Sequence, residues 1–153
     1  DWPDFDAVSW QSLLDEAEGR AQVRRAQLGG SLVIQASDRD AGAIEAAQTN
    51  AQRAGVVDFI ELTCRAVSAL APPASTGHVV TNPPYGQRVR GGADLRNLYA
   101  QLGKVLRTHC PGWRVTILGA DRALLGQLGL RLDTSLTFVN GGIDVIVARG
   151  AVS

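Results

Sequence analysis

The sequence predicts a single α/β domain whose sheet ends in an antiparallel edge. Short apolar runs of strand length alternate with segments of helical periodicity, and two further alternating segments at the end of the chain are joined by Asn-Gly-Gly at 140–142. Alternation of strands and helices is typical of an α/β sheet, and a closing hairpin adds an antiparallel edge. The 153 residues suffice for one sizeable hydrophobic core.

The first half of the chain is predicted to contain two helices and two strands. Residues 5–26 carry apolar side chains at helical spacing and predict a helix. Residues 32–36 predict a short buried strand. Asp40 is placed to cap a second helix that ends at Gly55, and residues 56–63 predict the next strand.

The second half is predicted to continue the alternation after a Pro- and Ser-containing loop. Its predicted elements are a strand at 78–81, a helix at 94–108, a strand at 113–118, a short helix at 121–128 and strands at 130–139 and 143–149. The glycines between the last two strands favour a tight hairpin turn.

The most informative motif is Asn-Pro-Pro-Tyr at residues 82–85, which we call the diproline corner. It directly follows the apolar run at 78–81. A proline pair cannot continue a central strand, because proline has no backbone N–H and a fixed φ. The chain must therefore leave the strand in an extended form at its carboxyl end, where open α/β sheets bind ligands.

The diproline corner suits a flat substrate that carries an amino group. The Asn82 amide oxygen and the Pro83 carbonyl can accept its two hydrogens at about 2.9 Å and aim the nitrogen lone pair at an electrophile. The same acceptors stabilise the positive charge that develops on nitrogen. Stacking on Tyr85 contributes roughly 1–3 kcal/mol. The alternative is a surface turn, which the preceding strand and the following aromatic residue disfavour.

Asp38 is a candidate cofactor ligand. It follows the first predicted strand, where an acidic side chain can accept both ribose hydroxyls of a nucleoside cofactor. The alternative role is capping of the next helix. Asp40 is better placed for that role, which leaves Asp38 for the cofactor.

Net charge is zero, with 15 basic and 15 acidic residues, but basic residues cluster after the diproline corner. Arg88 and Arg90 follow it directly, and we expect them to contact RNA phosphates. Arg96, Lys104 and Arg107 lie on the predicted helix, where a solvated face is the simpler interpretation.

No metal site or membrane segment is predicted. Cys64 and Cys110 lack the spacing of a metal site, and we expect two reduced, mostly packed thiols. His78 and His109 are expected to be bystanders. There is no apolar run of membrane-spanning length and no signal peptide, so a cytoplasmic location is expected.

Three groups of residues together resemble a known family. They are Asn-Pro-Pro-Tyr-Gly-x-Arg at 82–88, Ser-Asp-Arg-Asp at 37–40 with the downstream Thr-Asn-Ala and Ala-Gly, and Asn-Gly-Gly at 140–142. This combination resembles the Rossmann-like methyltransferases that use S-adenosylmethionine to methylate exocyclic amino groups. Within them it is most similar to the ribosomal RNA guanine-N2 methyltransferases that carry an N-terminal THUMP domain. The resemblance extends from about Trp2 onward.

The resemblance implies a class I methyltransferase sheet, S-adenosylmethionine as cofactor and ribosomal RNA as partner. It implies catalytic roles for Asn82, Pro83 and Tyr85, and cofactor binding by Asp38 and Asn82. The reaction implied is methyl transfer to the N2 amine of a guanine, which must first be extruded from folded RNA.

The chain departs from the family pattern at two places. The family has a glycine-rich loop after its first strand, and no such loop follows a predicted strand here. Residues 1–153 are therefore expected to be a partial domain without the central first strand, with a helical lead-in at 1–28 and alternating elements at 31–153. The family also has an acidic residue near the end of its third strand that contacts adenine, where Arg65 or Ala66 stands here.

Other functions remain open at this stage. The amino group could belong to adenine N6 in DNA or RNA, to guanine N2 in tRNA, or to glutamine N5 in a protein. Gly-Gln-Arg at 86–88 argues mildly against glutamine, since an apolar residue usually follows the tyrosine there. A different class is a non-catalytic, methyltransferase-like RNA-binding domain. The sequence makes no prediction of oligomeric state.

Overall fold

A computed structural model of the chain describes residues 3–28, 34–85 and 92–153. These form two compact units, the first from Asp1–Ala36 and Glu45–Thr63 and the second from Ser37–Ile44 and Cys64–Ser153. Within the described residues, no helix is both long and apolar enough to cross a membrane.

The first unit begins with helix α1, Ala7–Leu28. Asp6 caps it, because its Oδ1 accepts hydrogen bonds from the backbone N–H groups of Val8 (3.0 Å) and Ser9 (3.1 Å). The predicted helix is confirmed, but none of its residues is buried. The helical spacing of apolar residues predicted the helix correctly, but it did not predict whether the helix is buried.

Strands β1 (Ile34–Asp38) and β2 (Ile60–Cys64) form a two-stranded sheet. Residues 32 and 33 of the predicted first strand lie outside the described residues. For its other residues the prediction of burial is wrong: they are half-buried or exposed, and Ile34 is 45% exposed. The second strand starts later than predicted because Val57–Phe59 form a 3-10 turn.

Helix α2, Ala41–Arg53, connects these two strands and ends as predicted. Gly55 adopts a φ of +64°, a value that glycine tolerates best. The N–H of Val56 then donates to the carbonyl of Ala51 at 2.9 Å, which satisfies an otherwise free helical acceptor.

The second unit contains a four-stranded sheet in the order β3-β4-β6-β5. Its strands are β3 (His78–Thr81), β4 (Arg114–Gly119), β5 (Asp133–Asn140) and β6 (Ile143–Ala151). β3 and β4 are parallel, whereas β6 is antiparallel to both β4 and β5. The predicted mixed sheet with an antiparallel C-terminal edge is confirmed. Within the described residues, β1 pairs only with β2, and β3 only with β4.

Helix α3, Gly92–His109, supplies much of the core of this unit through one apolar stripe. The fully or almost fully buried members of the core from α3 and the sheet are Tyr99, Leu106, Val115, Ile117 and Ala148. The short helix α4, Arg122–Gln127, adds Leu124 and Leu125 to the same core. This packing fixes α3 against the sheet whose strands lead to the diproline corner.

Candidate active site at the diproline corner

Two chain segments meet at one edge of the second unit because β3 and β4 are parallel and in register. Thr81, the last residue of β3, is paired with Ile117 near the end of β4. The diproline corner follows β3, and Asp121 follows β4 two residues after its end. Both therefore lie at the carboxyl edge of the parallel pair, where this class of sheet binds ligands.

The diproline corner combines a buried anchor with accessible functional groups. Pro83 is buried, Asn82 is exposed and Tyr85 is half-buried. The Asn82 amide makes no hydrogen bond to any other described residue, so its oxygen is available as an acceptor. The arrangement presents an exposed amide and a partly accessible aromatic ring beside buried Pro83.

Asp38 lies at the end of β1 in an ordered turn. Its Oδ1 accepts a hydrogen bond from the N–H of Asp40 at 2.9 Å, and its backbone carbonyl accepts one from the N–H of Arg65 at 2.8 Å. Asp40 caps α2 as predicted, because its Oδ1 accepts from the N–H of Ala43 at 2.9 Å. Oδ2 of Asp38 has no partner among the described residues, so the exposed carboxylate keeps an acceptor for a ligand.

The position where the resemblance implies an acid is occupied here by Arg65 or Ala66. Ala66 is exposed and precedes a 3-10 turn at Val67–Ala69. Arg65 is half-buried, and its Nε has no hydrogen-bond partner in the described part of the chain. Val67, the next residue, packs against the core of the second unit.

The basic residues have different environments. Arg88 and Arg90 lie outside the described residues. Arg96 and Lys104 are exposed on α3, as the solvated-face interpretation expects. Arg107 is also exposed, but its guanidinium donates to the carbonyl of Leu128 and, at 3.2 Å, to that of Gly129. It therefore has a structural role at the end of α4 that the sequence interpretation missed.

The two cysteines are not equivalent. Cys110 is fully buried, and this burial raises the pKa of its thiol. The expectation that both thiols are packed is wrong for Cys64, which is exposed and donates weakly to the carbonyl of Arg39 at 3.6 Å. Among the described residues, no group of three or more His, Cys, Asp or Glu side chains is placed to hold a metal ion.

Neither histidine lies in the candidate site. His78 is exposed on β3, where its Nε2 is 2.9 Å from the hydroxyl of Thr116 on β4. His109 is the last residue of α3. A positive charge is favourable at that position because the helix dipole is negative there.

Two polar residues near the edge were missed by the sequence interpretation. Tyr99 of α3 is 1% exposed, and its hydroxyl has no hydrogen-bond partner in the described residues. Burial raises the pKa of Tyr99 to about 12, with smaller contributions from the Asp121 carboxylate and from the Tyr85 phenol. Sequence reasoning missed Tyr99 because it lies on the apolar stripe of a helix, where a core residue is expected. Asp121 was recognisable as the polar residue after β4, but it was interpreted only as a helix start.

Comparison with known proteins shows which family the chain is similar to. Residues 4–148 match the family described as "RMKL-like, methyltransferase domain". A ribosomal RNA large subunit methyltransferase K/L from Shewanella baltica is 34% identical over 145 residues. That match covers 94% of this chain and 20% of the relative, so the chain spans about one fifth of that relative's length.

Two solved structures are also similar. The protein SMU.472, crystallised as a complex with SAH, has a TM-score of 0.80 and 23% identity, over 99% of this chain and 39% of that one. A protein from Listeria monocytogenes, described as a predicted N6-adenine-specific DNA methylase, has a TM-score of 0.61 and 30% identity. That match covers 74% of this chain and 29% of the Listeria chain. The present chain thus has the Rossmann-like fold of class I methyltransferases and belongs to the RMKL-like methyltransferase domain family.

Proposed function

We propose that this domain takes part in methyl transfer from S-adenosylmethionine to the exocyclic N2 amine of a guanine in large-subunit ribosomal RNA. The observation that carries the proposal is the exposed Asn82 amide beside buried Pro83 and half-buried Tyr85. These groups lie at the carboxyl edge of a parallel strand pair in a member of a methyltransferase family. The named Shewanella relative acts on ribosomal RNA and thereby supports the choice of substrate class.

The chain's own groups have separate roles in this reaction. The side-chain oxygen of Asn82 and the carbonyl of Pro83 accept the two amine hydrogens and direct the nitrogen lone pair. Tyr85 stacks on the guanine. The bound cofactor supplies an electrophilic methyl group on a sulfonium. The methylated nitrogen, which becomes cationic, then loses a proton to water or to a backbone acceptor.

Cofactor binding is assigned to Asp38, with Asn82 next to the reacting centre. Asp38 fits a ribose, since its exposed carboxylate retains an acceptor after the turn to Asp40 is formed. The absence of an acid at Ala66 leaves adenine recognition to backbone groups and apolar neighbours such as Val67. We expect a glycine-rich loop and a further strand to complete this site. In the described part of the chain β1 and β3 each pair on one side only, which supports that expectation.

RNA binding is assigned to Arg88 and Arg90, which follow Tyr85 closely in the sequence. Extrusion of a base from folded RNA costs a few kcal/mol, and phosphate contacts together with stacking on Tyr85 offset that cost. A ribosomal RNA substrate also implies a cytoplasmic protein.

The test is methyl transfer by the full-length protein to unmodified ribosomal RNA, with mass spectrometry of the digested nucleosides. Asn82→Ala should lower the rate at least about 100-fold, as loss of one preorganised group that stabilises developing charge does. Calorimetry should show a much smaller change in cofactor affinity than in rate, because Asp38 remains to hold the ribose. Asn97→Ala, at an exposed asparagine on α3, is the matched control and should keep full activity. An unchanged rate in Asn82→Ala would refute the assigned role.

A second candidate is transfer to adenine N6, which the Listeria relative favours by its description. The diproline corner presents two acceptors and a ring, and these serve any amino group on a planar base. The identity of the methylated nucleoside in the same experiment decides between guanine and adenine. A non-catalytic RNA-binding domain would show no cofactor binding by calorimetry in the full-length protein.

A further inference from the structure

The hydroxyl of Tyr99 is an unexplained buried polar group. The side chain is 1% exposed and belongs to the apolar core of the second unit, yet its oxygen has no partner in the described part of the chain. Native proteins rarely bury a hydroxyl without a hydrogen bond, because the lost hydration is not replaced. A phenylalanine would pack equally well, so packing alone does not account for a tyrosine here.

The topology directs this hydroxyl toward the diproline corner. α3 connects two parallel strands, so it starts at their carboxyl edge and runs back along the sheet. Helical side chains lean toward the helix N-terminus. The phenol of Tyr99, in the second turn of α3, therefore points toward the edge where the corner and Asp121 lie.

The electrostatics of these three side chains agree with that placement. Burial is the main cause of the high pKa of the Tyr99 phenol, the Asp121 carboxylate is the next, and Tyr85 adds to it because two neighbouring phenolates would repel each other. Tyr99 is consequently protonated at any working pH and remains a hydrogen-bond donor. Asp121 caps α4, because its Oδ1 accepts from the N–H groups of Ala123 and Leu124, at 2.7 and 3.2 Å.

We propose that Tyr99 is a positioning residue whose buried hydroxyl donates to the phenol oxygen of Tyr85 when that ring turns to stack on the substrate base. This inference rests on the proposed function. A half-buried ring that is anchored at one edge keeps the plane required for stacking. Tyr99 thus acts on the substrate through Tyr85 and need not touch the base.

The test is a double-mutant cycle with Tyr99→Phe and Tyr85→Phe, each of which removes one hydroxyl and keeps the ring. Each single variant should lower kcat/KM about 3- to 10-fold, the equivalent of one hydrogen bond, mainly through KM for RNA. The double variant should be no worse than either single variant, because both changes remove the same interaction. Tyr99→Phe should melt at or above the wild-type temperature, since it deletes an unpartnered buried group.

Two kinetic results would overturn the inference: full kcat/KM in Tyr99→Phe, or effects of the two variants that multiply. The cycle uses whichever amino substrate the wild type methylates, so a wrong choice of guanine is distinguished from a wrong role for Tyr99. A readout independent of turnover is the fluorine resonance of 3-fluorotyrosine at position 85, with the mononucleotide of the base that the wild type methylates added. Tyr99→Phe should shift it, and an unshifted resonance would also refute the contact.

Discussion

Gly103→Ala should be among the most damaging single-methyl additions in the second unit. Gly103 is a buried residue of α3, at the point where the helix meets the chain leaving α4. A Cβ there would lie 2.6 Å from the carbonyl carbon and 2.7 Å from the Cα of Leu128, and closer still to the carbonyl oxygen. All three atoms belong to the backbone, so no side-chain rotation relieves the overlap.

The expected loss of stability follows from three contributions. Alanine gains about 1 kcal/mol over glycine within a helix. Overpacking a filled contact costs about 1–3 kcal/mol or more. Moving Leu128 away also weakens its hydrogen bond from Arg107, and hydrogen bonds to charged groups contribute about 1.5–3 kcal/mol. The net loss is about 2 kcal/mol or more, which corresponds to a Tm lower by roughly 4–8 °C for a domain of this size.

Urea and thermal unfolding of the full-length protein would measure this loss. The matched control is Gly126→Ala on α4, because a Cβ at Gly126 meets nothing within 4 Å. Gly126→Ala should be neutral or stabilising by up to about 1 kcal/mol. If Gly103→Ala were as stable as the wild type, the inferred contact between α3 and the backbone of Leu128 would be refuted.

Two further predictions concern the reactivity of the two cysteines and the dependence of stability on pH. In the folded protein Cys64 should react rapidly with a thiol reagent, whereas Cys110 should react only on unfolding; equal rates would contradict its burial. The pKa of Asp133 is lowered to about 2 by hydrogen bonds from Ser135 and then by Arg149, so the ionised carboxylate stabilises the fold above about pH 4. That contribution should disappear as pH falls toward 2, and Asp133→Asn should flatten the dependence of the urea midpoint over this range. Identical pH profiles for variant and wild type would refute the stabilising role of the Asp133 carboxylate.

Elements whose ends are marked by proline, glycine or loop residues were predictable from the sequence. β3 was predicted without error at 78–81, because the loop at 72–77 and the prolines of the corner limit it on both sides. The hairpin was predictable for a similar reason: Gly141 and Gly142 have φ values of +57° and +79°, which a tight turn between twisted strands requires.

Burial was less predictable than secondary structure. Val8, Leu13 and Leu14 have helical spacing on α1, yet they are 81%, 58% and 43% exposed. Periodicity reports which residues share a face, and it carries no information on what covers that face. The unpartnered hydroxyl of Tyr99 could not be predicted either. Its position on an apolar stripe indicates a core residue, and this says nothing about the partners of the hydroxyl.

The position of Tyr99 on α3 links the stability of the fold to the geometry of the site. Gly103 follows Tyr99 by four residues and so lies one turn away on the same face of the helix. The absence of a side chain at Gly103 lets α3 sit directly against the backbone of Leu128, which fixes the height of the helix along the sheet. A positioning hydroxyl must be held within about 0.5 Å to be useful. A rigid backbone contact one turn away supplies that constraint more reliably than a flexible side chain would.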